Sequence, residues 1–176
     1  MLNHSELIAM LLLLLVGGHE TTVNLIANGL LALLRNPDQF ALMAKGDGIE
    51  KRAVEELLRY DAPVQYTGRI ARNDVDISGV RIRSGEHVRV ILASANRDPD
   101  VFDEPDRLDL SRDPCPHIAF ATGIHACLGA PLARLEGQIG LSTFVRRFPQ
   151  ARLGEGSLTW RPASVFRGLD ALPVRF

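Results

Sequence analysis

Only two cysteines, Cys115 and Cys127, occur in the 176 residues. That excludes a disulfide framework and makes a reducing, cytoplasmic compartment the default. Charge of one sign is also lacking. The formal net charge is −1, which gives no basis for a nucleic-acid or anionic-membrane partner. No repeat, low-complexity tract or long linker is present. The longest apolar run, Leu7 to Gly18, has twelve residues, short of the ~20 that a membrane span needs. The opening "MLNHSE" holds neither Lys nor Arg, and no A-x-A-like cleavage site follows, so no secretory signal is expected.

What is present is a chain of about one domain, 46% hydrophobic and able to form a packed core. The apolar run continues past "GGHETT" to Leu34 and predicts one long helix, apolar on nearly every face and therefore buried. Asn3 or Ser5 caps it, and Asn36-Pro37 stops it. A second helix is expected over Pro37–Lys45. A third lies in "GIEKRAVEELLRYD", with Ile49, Ala53, Leu57 and Leu58 inward. "VDISGVRI" reads as a hairpin turning at Ser78-Gly79, and "HVRVIL" as a further strand. Residues 96–118, rich in Pro, Asp and Arg, read as an irregular polar coil. A helix over Ala130–Phe148 carries a stripe of Leu132, Leu135, Ile139 and Phe144, and the tail reads as short strands. The fold class is mainly α with small β-sheets.

Four constellations could carry chemistry. In "AFATGIHACLG", Cys127 stands in a glycine loop before a helix, where the dipole and free N–H groups stabilise a thiolate. The glycines let the backbone approach a flat ligand, and His125 could reach a carboxylate on it. A buried structural cysteine is the plain alternative. Zinc on Cys115, His117, His125 and Cys127 is another, although one-residue spacers are not the usual zinc knuckle. Glu56 and Arg59 sit at i and i+3, either as a surface pair or as a buried pair needing further partners such as Arg107 or Arg112. Arg69 lies in an extended segment after Pro63. Leu13, Gly17 and Thr21 share one helical face, with Glu20 about 100° round; a helix-packing notch would look the same.

Taken in order, these motifs resemble the cytochrome P-450 superfamily of the soluble bacterial kind. Gly17-Gly18-His19-Glu20-Thr21-Thr22 is similar to its oxygen-activating helix motif. Glu56-Leu57-Leu58-Arg59 is similar to its E-x-x-R helix, and "FDEPDRLDLSR" to its meander. Phe120 to Gly129 resembles its haem-binding loop, F-G-x-G-x-H-x-C-x-G, with Ala121 where the family usually has Gly.

The resemblance implies a haem-thiolate monooxygenase using haem b, dioxygen, a small organic substrate and a ferredoxin, or ferredoxin and flavin reductase, as electron donor. It makes Cys127 the proximal thiolate in a loop framed by Phe120, Gly123 and Gly129. His125 and Arg69 become partners of the haem propionates. Glu20 and Thr21 become a proton relay at a break in the long helix. Glu56, Arg59 and Arg112 become a buried network pinning the meander, with Arg112 preferred over Arg107. Gly17, Val64, Gln65, Tyr66, Val165 and Phe166 are expected to face substrate. Family members are more than twice this length, so residues 1–176 read as a single partial domain, the C-terminal haem-binding half with the N-terminal half absent. A non-catalytic remnant and a zinc-stabilised binding module are the competing readings.

Overall fold

The computed structural model describes residues 2–162 and 165–176. Among the described residues, five α-helices, α1 (His4–Arg35), α2 (Pro37–Lys45), α3 (Glu50–Tyr60), α4 (Leu92–Ala95) and α5 (Ala130–Arg147), accompany three two-stranded antiparallel sheets. The first sheet pairs β1 (Tyr66–Ile70) with β4 (His87–Ile91), and the second pairs β2 (Val75–Ile77) with β3 (Val80–Ile82). The third pairs β5 (Arg152–Leu153) with β6 (Val174–Arg175). The fold class is the expected one. In the tail, residues 163 and 164 lie outside the described residues.

Local chemistry sets most boundaries. Asn3 caps α1 through a reciprocal box: its Oδ1 accepts the Glu6 N–H at 2.9 Å, and Glu6 accepts the Asn3 N–H at 2.8 Å. Pro37 opens α2 after Asn36 ends α1. Ser78 and Gly79 both take positive φ, 50° and 81°, as a two-residue hairpin turn between right-twisting strands requires. "HVRVIL" is a strand only to Ile91, and Leu92 turns inward to start α4, buried.

The main core lies where the second half of α1 meets α2, α3 and α5, around Leu33, Met43, Leu57 and Leu141. A smaller cluster of Leu25, Val54, Leu58, Ala62 and Ala119 sits beneath Phe120. Three expectations are corrected here. First, α1 is buried only from Asn24 onward, and Leu11–Val16 are exposed, Leu13 to 71%, because none of the described elements packs on them. By length and composition alone α1 could cross a membrane, a test that the core helix of a water-soluble protein also passes. Second, α1 is one uninterrupted helix through Gly17–Thr22, so the glycine notch does not break it. Third, most of the α5 stripe faces outward: Leu132, Leu135 and Ile139 are each more than half exposed, while Phe144 packs against the main core and Ala130, Gly137, Leu141 and Val145 are buried. The small residues win the inner face because the helices approach closely. A Cβ at Gly137 would lie 3.3 Å from Leu25 and Val54.

Candidate active site

The loop before α5 is built by its backbone. Phe120 accepts the Cys127 N–H at 2.9 Å, and Cys127 accepts the Ala130 N–H at 3.3 Å. Ala121 (φ 54°) and Gly123 (φ 69°) take left-handed conformations, and Gly123–His125 forms one turn of 3-10 helix. The Cys127 backbone is thus fixed while its side chain stays exposed.

That side chain opens into a cavity of about 400 Å3 whose exposed lining is mostly apolar. Gly17, Gly18, Thr21, Thr22 and Leu25 of α1 line one part of it. Phe120, His125, Cys127 and Gly129 line another, with Leu132 of α5, Val64, Tyr66 and Val165. Thr21 Oγ1 donates to the Gly17 carbonyl at 2.7 Å. Its hydroxyl proton is therefore committed to the helix, and its oxygen is left as an acceptor.

The other cysteine is a different chemical object. Cys115 is half-buried, and its thiol is pushed up to about 12 by burial and by the charge of Glu56, 3.7 Å from its sulfur. It stays protonated near neutral pH. Among the described residues no group of three or more His, Cys, Asp or Glu could hold a metal ion. His117 instead bonds Glu55 at 3.0 Å. The four-ligand zinc site proposed from Cys115, His117, His125 and Cys127 is not formed.

Below the loop, Glu56, Arg59 and Arg112 meet. Glu56 and Arg59 are fully buried, and Arg112 Nε reaches Glu56 Oε2 at 3.1 Å. Arg107 pairs with Glu104 instead, and only its carbonyl joins the network. Asn96 ties this network toward the loop. Its carbonyl accepts from Arg59, and its side chain accepts the Ile118 N–H at 2.8 Å.

Several expected residues lie off the cavity wall. Glu20 is held in an ion pair by Arg161. Arg69 is exposed and folds onto its own strand, bonding Thr67 Oγ1 at 2.8 Å and the Gly68 carbonyl at 2.7 Å. Gln65 bonds Ala62, and Phe166 bridges Val64; neither lines the cavity. Sequence reasoning missed Glu55, Asn96, Arg134 and Phe102, whose ring centroid lies 5.2 Å from the Arg59 guanidinium and 5.9 Å from that of Arg112. Glu55 was overshadowed by its neighbour Glu56. The others have only tertiary partners, which no spacing signals.

The family model for Cytochrome P450 matches residues 50–154. A relative from Bacillus subtilis (strain 168), the biotin biosynthesis cytochrome P450, is 46% identical over 99% of this chain and 44% of its own length. The cytochrome P450 monooxygenase PikC of Streptomyces venezuelae is 48% identical over 99% of this chain and 43% of its own. Among solved structures, P450BioI in complex with hexadec-9Z-enoic acid ligated acyl carrier protein superposes with a TM-score of 0.96 at 46% identity, covering 99% of this chain and 46% of that one. The chain belongs to the cytochrome P450 family. It spans less than half the length of these relatives.

Members of this family carry haem b, and the residues present fit it. An exposed sulfur on a fixed backbone, in a mostly apolar cavity with a histidine beside it, is the donor set that haem iron takes from thiolate proteins.

Proposed function

We propose that this chain is the haem-ligating part of a haem-thiolate monooxygenase. Bound in the cavity, haem b would supply dioxygen activation for insertion of one oxygen atom into a small organic substrate, with electrons from a ferredoxin-type donor. The observation that carries the reading is the contrast between the cysteines: Cys127 free and exposed on a fixed loop facing the cavity, Cys115 held protonated beside Glu56.

In this reading Cys127 is the thiolate ligand. His125 and Arg69 would hold the haem carboxylates through charge-assisted bonds. Gly17 keeps the α1 wall of the cavity free of side-chain bulk. Thr21 Oγ1 would accept a hydrogen bond at the cavity wall, or donate one once it leaves the Gly17 carbonyl. Glu20 moves protons when released from Arg161. Val64, Tyr66 and Val165 exclude water around an apolar substrate, with Gln65 and Phe166 holding their backbone. The setting is cytoplasmic, without membrane or nucleic acid. The test is haem titration of Cys127→Ser and Cys115→Ser: the first loses thiolate ligation and the second keeps it. The opposite pattern overturns the assignment.

A further inference from the structure

Resting on the haem-thiolate reading, we infer that Glu55, Arg134 and His117 form a clamp that positions Phe120 and, through it, the Cys127 sulfur. Glu55 on α3 receives three contacts. Arg134 of α5 donates from Nε to Oε1 at 2.6 Å and from Nη2 to Oε2 at 2.9 Å, and His117 Nε2 lies 3.0 Å from Oε2. The second ring nitrogen of His117, Nδ1, accepts the Ala119 N–H at 3.2 Å. The ring proton of neutral His117 is thereby placed on Nε2, pointing at Glu55. The side chain of His117 is 2% exposed, so this orientation is locked.

The same groups hold Phe120. The Arg134 guanidinium stacks 4.6 Å from the Phe120 ring centroid, and the His117 ring lies 6.1 Å away, tilted by 52°. Phe120 is the residue whose carbonyl accepts the Cys127 N–H. A continuous chain of contacts therefore runs from α3 to the thiol-bearing residue. It is separate from the Glu56–Arg59 network one residue further along α3. Arginine is required at 134 because a bidentate fork and a stacking plane are used together, and lysine supplies neither. Arg134 is also held firmly charged, its pKa raised above all by the hydrogen bond to Glu55.

The test has two readouts on this chain: amide exchange at Cys127 without haem, and the reduced carbon monoxide spectrum with haem. In Arg134→Lys and His117→Phe, exchange at Cys127 should rise roughly ten-fold, the loss of about one hydrogen bond's net worth. The Leu141 and Val145 amides should stay slow, and the thiolate-type band should weaken. Arg107→Gln should change neither readout. If His117→Phe also accelerates Leu141 and Val145, the milder Arg134→Lys decides. Unchanged exchange, or a change in one readout without the other, overturns the clamp. A wild-type chain with no thiolate band would instead sink the functional reading, and the exchange arm alone would then decide the clamp.

Discussion

Arg59 lies bidentate on Glu56, its Nε 2.7 Å from Oε2 and its Nη2 2.8 Å from Oε1, and neither side chain reaches solvent. All five guanidinium N–H groups are used: two on Glu56 and three on the carbonyls of Asn96, Pro105 and Arg107. Glu56 in turn accepts from Asp109 N–H and from Arg112. An irregular coil with little regular structure is thus tied to α3 through one buried ion pair. Removing one partner leaves the other charge buried and unpaired, at about 3–5 kcal/mol. Glu56→Ala should therefore collapse the urea midpoint. Arg112→Lys, at a half-buried position, should cost only about 1 kcal/mol. A near-native midpoint for Glu56→Ala would contradict this.

Glu55 gives a pH prediction. Burial opposes its ionisation, but hydrogen bonds from His117 and Arg134 outweigh this and hold it at about 2, against an ordinary 4.5. The unfolded chain therefore takes up the proton first as pH falls. The stabilisation is complete above about 4.5 and is lost between there and about 2. Urea midpoints at pH 6 and pH 3 should differ more for the wild type than for Glu55→Gln. Equal differences would show that the pair contributes nothing.

Ala121 at φ 54° occupies a left-handed position that costs a residue with a Cβ about 1–2 kcal/mol. Glycine relieves that strain but adds unfolded-state entropy of about 0.4–1 kcal/mol. Ala121→Gly should raise the thermal midpoint by the equivalent of up to ~1.6 kcal/mol. A lowered midpoint would mean that the loop is not strained there.

The uncovered face of α1 carries Leu12 and Leu15, 57% and 65% exposed. Each such side chain forgoes part of the ~1.5–3 kcal/mol that full burial supplies, and a contiguous apolar patch drives association. The isolated chain should self-associate and hold haem weakly. Leu12→Gln with Leu15→Gln should lower its sedimentation-derived mass. Adding the N-terminal part of a full-length relative should raise solubility and haem retention together. A monomeric wild-type chain with tight haem would contradict both expectations.

Much of this was legible in the sequence, for physical reasons that differ by element. Helix ends at Asn3 and Pro37 and the Ser78-Gly79 turn are local chemistry, and they fall where expected. The fixed spacing of Glu56 and Arg59 announced a pair, though not that it is buried; the coil closing over it decides that. The α5 face was misread because periodicity shows where leucines recur, not which side a neighbouring helix approaches. Gly137 selects that side and offers no hydrophobic signal. The Glu55–His117–Arg134 contacts join residues up to 79 apart in sequence, beyond the reach of any local pattern.

The most direct measurement is the absorption spectrum of this chain loaded with haem, reduced, under carbon monoxide. The account predicts a Soret band shifted far to the red, as a thiolate ligand demands, retained in Cys115→Ser and abolished in Cys127→Ser. A loaded wild-type chain without that band, or one that loses it through Cys115→Ser alone, would contradict it.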